Sequence, residues 1–190
     1  MDSVVPSVKE KIKNLKAVVF DSYGVFFSEV VSIRPKEGEY TATRSHIDGQ
    51  GISLIRSAGL LVALVSTEKL GLMDSFGVKL NNLPSVLNGD WKPLGVFTGD
   101  KAKNKTEAIE GWLSENGISW DECAYMGDDV GDAEIMKKVG IAVAPQQAET
   151  VIKDIAHVVT DRRGGDGAIR DFCNILLEVK GVDPLSLSRK

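Results

Sequence analysis

Residues 15–24 read LKAVVFDSYG, and this stretch decides the fold. The apolar run from Ala17 to Phe20 is typical of a strand that is buried on both faces, as strands of a parallel sheet are. Asp21 follows at the carboxyl end of this strand, and Gly24 lets the chain turn away. Ligand sites of open α/β sheets lie in the crevice beyond the carboxyl ends of the strands. The stretch therefore predicts a parallel sheet with a carboxylate at its functional edge.

Composition indicates one ordinary globular domain over residues 1–190. The chain has 43% hydrophobic and 26% charged residues, a formal net charge of −4 and a pI near 5.3. An acidic chain disfavours nucleic acid and anionic membranes as partners. We find no long apolar segment of the kind that serves as a leader or a membrane span. Two cysteines without a CxxC pair are typical of a reducing compartment, so we predict a cytoplasmic protein.

Strand and helix patterns alternate along the chain, which predicts a mainly parallel sheet with helices on both faces. We expect further strands at residues 60–65, 122–126, 141–144 and 157–160. We expect helices at residues 7–14, 52–57, 68–75, 104–115, 133–139, 149–155 and 166–179. A short strand is predicted near residues 78–80, an inserted, lid-like loop at residues 81–99, and a flexible tail at residues 181–190.

A β-hairpin is predicted over about residues 26–46. Two β-rich segments, 26–34 and 39–46, flank the sequence PKEGE, in which Pro35 and Gly38 favour a turn. Phe26, Phe27 and Val30 would leave more apolar surface than a free two-stranded ribbon can hide. Burial of the hairpin against another subunit would cover that surface.

Four sequence features occur in a telling order: Asp21, then Ser66 at a strand end, then Lys105, then GDDVGD at residues 127–132. In this order they resemble the four motifs of the haloacid dehalogenase (HAD) superfamily. DGQGISLIRSAGL (48–60), AYMGDDVGDAEIMKKVGIAVAP (124–145) and GGDGAIRDFCNILL (164–177) are similar to the small, cap-less sugar-acid phosphate phosphatases of that superfamily. The resemblance implies a three-layer, Rossmann-like α/β fold with a protruding hairpin and no cap domain. It also implies a homotetramer, in which the hairpin reaches a neighbour's active site.

The resemblance implies a phosphatase in which Asp21 attacks the phosphoryl group and forms an acyl-phosphate. Mg²⁺ would be held by Asp21, Asp128 and the main-chain carbonyl of Tyr23, with Asp129 and Asp132 orienting or supplementing that set. The same acidic cluster also fits a plain structural role, because Asp and Asn side chains cap helix N-termini.

Substrate-binding residues are implied in the same way. Lys105 would neutralise a phosphate oxygen and restrain Asp21, while Ser66 and Thr67 would bind the phosphate. Asp48 lies where these phosphatases bind the sugar acid or order the hairpin. Arg162 and Arg163 are candidate substrate-binding cations of the C-terminal loop, because they lie beside GGDG at residues 164–167.

Three positions depart from the pattern of these phosphatases. Tyr23 stands where they carry the aspartate that acts as general acid and base, and losing such a group costs about 10²–10⁴-fold in rate. Asp166 replaces the arginine of a GGRG loop, and Glu68 stands near another arginine position. The loss of aspartate at position 23 and of arginine at position 166 favours impaired turnover.

Three hypotheses follow. The first is a Mg²⁺-dependent phosphatase of a small phosphorylated sugar acid, with Tyr23 in place of the acid. The second is a catalytically impaired module for oligomerisation or regulation. The third is a metal-free dehalogenase-like hydrolase, because DSYG resembles the dehalogenases' own sequence and a halide leaves without protonation, although those enzymes use a helical cap.

Overall fold

A computed structural model describes residues 5–33, 40–69 and 71–187. Its strands are β1 Ala17–Asp21, β2 Val31–Ile33, β3 Tyr40–Ala42, β4 Leu61–Ser66, β5 Gly95–Thr98, β6 Cys123–Met126, β7 Ile141–Ala144 and β8 Val158–Val159. Its α-helices are α1 Pro6–Asn14, α2 His46–Ser57, α3 Leu72–Asn81, α4 Pro84–Leu87, α5 Lys105–Glu115, α6 Ala133–Lys138, α7 Thr150–Ile155 and α8 Ala168–Val179. No helix within these ranges is long and apolar enough to cross a membrane.

The main sheet runs in the order β5-β4-β1-β6-β7-β8, and its neighbouring strands pair in parallel. All five residues of β1 are buried, as the apolar run predicts. Val18 and Phe20 face a core built with α1, α2, α3 and α8, whereas Ala17 and Val19 face a second core built with α5, α6 and α7. The predicted three-layer, HAD-like α/β architecture is confirmed, and the described residues add no cap domain to it.

The hairpin is smaller than predicted. Residues 31–33 pair antiparallel with residues 40–42, and the predicted turn at residues 35–39 lies outside the described residues. Phe26 and Phe27 belong to the core of the main domain, where they are 0% and 5% exposed. Val30 keeps 69% of its surface exposed. The prediction that all these residues lie on the ribbon was therefore wrong, because the aromatic pair turns inward before the hairpin begins.

Helix α2 begins at His46, six residues before the predicted start. Two glycines in DGQG argue against a helix, but Gly51 is needed there for packing. A Cβ at Gly51 would lie 3.2 Å from Sγ of Cys173 and 3.3 Å from Arg170, both on α8. The close approach of the two helices thus outweighs the low helix propensity of glycine.

The region after β4 differs most from the prediction. The expected strand near residues 78–80 is the end of α3, whose Met73, Phe76 and Leu80 are buried at helical spacing. Part of the expected loop 81–99 is β5, the edge strand of the sheet. The apolar residues of β5 are only half-buried, which weakened the strand pattern in the sequence.

The segment that joins α3 to β5 contains helix α4 and is held to its neighbours by several side-chain contacts. Asn81 exchanges two hydrogen bonds with the main chain of Leu94, at 2.7 and 3.0 Å. The buried Arg56 donates to the Lys92 carbonyl at 2.8 Å, and its guanidinium lies 5.6 Å from the ring of the buried Trp91. These contacts fasten the segment to α2 and to the core.

Candidate active site

The parallel strands bring the predicted motifs together at one edge of the sheet. Strand β1 lies between β4 and β6, so Asp21 and Ser66, which end β1 and β4, lie near Asp128, which follows β6. They open into a cavity of about 340 Å³. Its lining residues are Asp21, Ser22, Tyr23, Gly24, Glu29, Ser66, Thr67, Glu68, Lys105, Asp128, Asp129, Gly131 and Asp132.

Lys105 enters the cavity from the first turn of α5, a helix whose N-terminus is capped by the Asn104 side chain. Its Nζ lies 2.6 Å from Oδ1 of Asp21 and 3.0 Å from Oδ1 of Asp132. Burial alone would lower the pKa of this ammonium, but the two carboxylates outweigh burial and raise it above its usual value. Lys105 therefore stays charged beside Asp21.

The carboxyl groups of Asp21 and Asp128 both have raised pKa values, because they are buried and lie close to other carboxylates. Burial first, and the charge of Asp132 next, raise the pKa of Asp21 to about 7 against the opposing effect of Lys105. Burial, followed by the charges of Asp21 and Asp132, raises the pKa of Asp128 to about 7. These shifts mean that both carboxylates are costly to ionise when no further cation is present.

The three carboxylates have the chemistry of a divalent-cation site. Asp21, Asp128 and Asp132 each offer one oxygen, and these oxygens lie within 4.8 Å of one another. Mg²⁺ prefers oxygen ligands and is bound through carboxylates. A divalent cation would also offset the repulsion that raises the pKa values of this group. The residues present therefore fit a divalent metal.

Asp132 is the most heavily engaged member of the cluster. Its Oδ1 accepts from the hydroxyl of the buried Tyr125 at 2.6 Å as well as from Lys105. Its Oδ2 accepts from the main-chain N–H groups of Asp128 at 3.1 Å and Asp129 at 3.4 Å. Asp132 therefore takes part in capping the short turn before α6, and it also belongs to the acidic group that could hold a metal. Tyr125 was missed from the sequence, although a tyrosine in a buried strand signals that its hydroxyl needs a partner.

Gly24 allows the first loop to approach the fourth motif. Its φ is +78°, and a Cβ there would lie 1.9 Å from Oδ2 of Asp128. Gln147, also missed from the sequence, supports this loop: its Nε2 donates to the Gly24 carbonyl at 2.7 Å, and its Oε1 accepts from the N–H of Gly164 at 2.8 Å. One amide thereby joins the loop after β1 to the C-terminal loop.

Tyr23, Ser66, Thr67 and Asp129 also reach the cavity lining, as expected for site residues. The ring of Tyr23 packs 5.6 Å from that of Phe27. Oγ of Ser66 accepts from the N–H of Glu68 at 3.2 Å, which holds the β4 loop in a tight turn. Asp129 accepts from the N–H of Val130 at 2.6 Å and caps the short turn before α6.

The structure does not bring the other predicted binding residues into the cavity. Asp48 is fully buried and accepts from the N–H groups of Gly167 at 3.1 Å and Arg170 at 2.9 Å, so it caps α8. Arg162 is paired with Asp171 at 2.6 Å, and Arg163 with Glu29. These three side chains make their contacts in and around the C-terminal loop.

Comparison with known proteins identifies the family. A model of haloacid dehalogenase-like hydrolases matches residues 78–170. A solved HAD family hydrolase of Streptomyces avermitilis is 30% identical, with a TM-score of 0.76, and the match covers 87% of this chain and 93% of that one. This chain belongs to the HAD superfamily. The expected HAD-type hydrolase is thus confirmed at the level of the family.

Among its HAD relatives, phosphatases are prominent. The 3-deoxy-D-manno-octulosonate 8-phosphate phosphatase of Salmonella typhimurium is 29% identical over 178 residues, or 94% of this chain and 87% of that protein. The enzyme of that name from Moraxella catarrhalis, solved with magnesium, phosphate and KDO, shares the fold with a TM-score of 0.79 at 21% identity and 92% coverage of each chain. The predicted likeness to this group of HAD phosphatases is confirmed.

Proposed function

We propose that this HAD protein is a Mg²⁺-dependent phosphatase of a small phosphorylated sugar, acting through an aspartyl-phosphate on Asp21. The observation that carries the proposal is the convergence of Asp21, Asp128 and Asp132 with Lys105, whose Nζ lies 2.6 Å from Asp21. A phosphate ester repels nucleophiles by its own charge, so its cleavage needs a fixed nucleophile surrounded by cations. This site has the nucleophile, one cation and ligands for another.

Asp21 would begin the reaction by attacking phosphorus through a carboxylate oxygen, which breaks the bond from phosphorus to the sugar oxygen. Lys105 restrains Asp21 and offsets charge on the transferring group. The hydroxyls of Ser66 and Thr67 lie in the cavity lining, where they would bind phosphate oxygens. The leaving sugar oxygen takes a proton from the hydroxyl of Tyr23.

Water completes the reaction by attacking phosphorus in the aspartyl-phosphate, which releases phosphate and regenerates Asp21. The proton that this water loses returns to the Tyr23 oxygen. A phenol with an ordinary pKa near 10 is a weak acid at neutral pH, so proton transfer to the sugar oxygen is slower than from a carboxyl group. We therefore expect measurable but modest turnover.

Asp21, Asp128 and the main-chain carbonyl of Tyr23 would hold the Mg²⁺, with Asp129 and Asp132 orienting this set. When bound, the ion supplies positive charge to the transferring phosphoryl group. Asp132 already accepts from Tyr125, Lys105 and two N–H groups, which suits it to positioning the other carboxylates.

The substrate named for the relatives, a phosphorylated sugar acid, and the sequence-based prediction support sugar phosphates as the substrate class. We also propose assembly into a homotetramer through the hairpin, beside which Val30 is 69% exposed. Light scattering on a chain lacking residues 32–41 tests this assembly. Monomers are the expected result, and an unchanged mass would contradict it.

Phosphate release from a panel of sugar phosphates, with and without Mg²⁺, tests the proposed activity. The native chain should release phosphate, Asp21→Asn should not, and a chelator should stop the reaction. Asp154→Asn, outside the cavity lining, serves as the matched control. Absence of release from the native chain would favour the non-catalytic module, and turnover of haloacids without metal would favour the dehalogenase.

A further inference from the structure

A second cavity, which we call the α2–α8 cavity, lies outside the candidate active site. Residues of α2, α3 and α8 line it, together with Arg44 before α2 and Leu185 after α8. Its volume is about 540 Å³, which is within the range of small-molecule sites. It shares no lining residue with the cavity that contains Asp21. The α2–α8 cavity is therefore a separate candidate site.

The lining of the α2–α8 cavity is cationic, although the whole chain has a net charge of −4. Three side chains with a positive charge contribute to it, namely Arg44, Lys79 and Arg170, and no aspartate or glutamate is among its described lining residues. None of these three cations forms an ion pair within the part of the chain that the structure describes. Like charges repel one another, so an anion in the cavity would be stabilised.

Arg44 is held in place, but burial makes its charge costly. Its guanidinium lies 4.3 Å from the ring centre of Phe76 and 5.5 Å from that of Phe26. Its Nη1 donates to the Ser45 carbonyl at 3.1 Å, and the rest of the guanidinium has no acceptor among the described residues. Burial lowers the pKa of Arg44, against the opposing effect of the charge of Asp48. Asp48 itself caps α8 and does not line the cavity.

Arg170 and Ser53 add polar groups that lack a protein partner. Nε of Arg170 donates to Asn174 at 2.8 Å, and the two terminal amino groups have no acceptor in the described chain. Ser53 is 8% exposed, and its hydroxyl makes no hydrogen bond within the described residues. The buried side-chain atom that is sealed off without a partner there is Nε of Arg56, so the Ser53 hydroxyl is open to the cavity. Buried hydroxyls normally have a partner, which points to a ligand at this position.

The rest of the wall is largely apolar. It includes the side chains of Leu54, Phe76, Leu80, Leu83 and Leu185. Small-molecule sites combine such a wall with a few fixed polar groups. Guanidinium groups bind carboxylate and phosphate through two parallel hydrogen bonds. An anion that carries an apolar body can satisfy both parts of the lining, whereas a free, hydrated phosphate ion would leave the leucines uncovered.

We propose that the α2–α8 cavity binds a small organic anion. Its carboxylate or phosphate group contacts Arg44, Arg170 and Ser53, and its apolar body packs against the leucine side chains. The exposed Lys79 adds attraction at the rim. This site goes beyond the proposed phosphatase activity, since it uses neither the metal cluster nor any residue of the acidic cavity.

Fluorescence titration of the metal-free native chain tests the proposal. The probe 8-anilinonaphthalene-1-sulfonate carries an anionic group on an apolar body, and N-phenyl-1-naphthylamine is the same body without the charge. We expect one sulfonate probe per chain, bound about tenfold or more tightly than the neutral probe, and weaker binding in about 1 M salt. Phenyl phosphate or benzoate should displace the probe, and their relative strengths show which anionic group is preferred.

Substitutions in the lining make the test specific. Arg44→Met and Arg170→Met should each weaken binding of the sulfonate probe by about tenfold, and Ser53→Ala by about threefold. Arg44 stacks on two aromatic rings, so its variant is the one at risk of instability, and Arg170→Met and Ser53→Ala keep the test decisive. Lys101→Met removes one positive charge at an exposed position outside the lining and should leave binding unchanged.

Three results would overturn the proposal. One is equal binding of the charged and neutral probes, and another is unchanged binding in the folded Arg170→Met and Ser53→Ala chains. The third is binding that appears only after residues 32–41 are deleted, which would mean that a neighbouring subunit covers the cavity. None of these measurements involves turnover, so the anion site and the phosphatase activity stand or fall separately.

Discussion

The hydroxyl of Tyr125 donates a 2.6 Å hydrogen bond to Oδ1 of Asp132 from a fully buried position in β6. The same oxygen accepts from Lys105, which also holds Asp21. A residue inside the core thus positions the carboxylate that is linked, through Lys105, to Asp21.

Tyr125→Phe should lower the free energy of unfolding by about 1.5–3 kcal/mol, because a hydrogen bond to a charged group is lost while the ring is kept. Urea unfolding of the single variants and of the double variant with Asp132→Asn measures the coupling of the two side chains. If the two single effects simply add, the hydrogen bond does not contribute to stability.

The stability of the metal-free protein should fall as the pH rises from about 4 to about 7. Asp21 and Asp128 have folded pKa values near 7, above the ordinary value of 3.8, so their stabilising contribution is present below the unfolded pKa and is lost through the folded pKa. Urea unfolding in a chelator at a series of pH values measures this slope. Mg²⁺ should restore stability, more at pH 8 than at pH 5.

The double variant Asp21→Asn with Asp128→Asn provides the control for this pH dependence. Its slope should be flatter than that of the native chain, and Mg²⁺ should stabilise it little. Identical slopes for both chains would show that other groups cause the pH dependence.

Tyr23→Asp should raise phosphatase turnover by about tenfold or more, because a carboxyl group protonates the leaving oxygen better than a phenol at neutral pH. Tyr23→Phe, which removes the hydroxyl and keeps the ring beside Phe27, should lower it. Steady-state phosphate release compares the three proteins. Without a gain from aspartate, proton transfer is not what limits the rate.

Asp48→Ala should destabilise the protein by about 1–3 kcal/mol, because two N–H groups at the start of α8 lose their acceptor. Asp48→Asn should cost less, since its amide oxygen still accepts. Urea unfolding gives the stabilities, and the KM of the folded variants tells whether the carboxylate also serves the substrate. A raised KM with unchanged stability would assign Asp48 to binding instead of capping.

Much of the architecture could be predicted from local patterns, because buried parallel strands such as β1 and β6 appear as short apolar runs that end at the motifs. Helix α3 and strand β5 could not be predicted in this way. Strand β5 is half-buried and lacks a continuous apolar run, whereas the end of α3 resembles a short apolar strand. The contact of Lys105 with Asp21 followed from the order of the motifs. The hydrogen bond from Gln147 to Gly24 could not be predicted, because Gly24 lies 123 residues earlier and no local sequence pattern indicates the contact.

The Asp48 cap of α8 has a consequence for synthesis on the ribosome. Its two donors come 119 and 122 residues later in the chain, so they leave the exit tunnel long after α2 has been made. Until then the carboxylate of Asp48, which is buried in the folded protein, stays hydrated. Its hydration disfavours the packing of α2 against the sheet. The emerging polypeptide therefore completes the core around Asp48 only when α8 is free to dock.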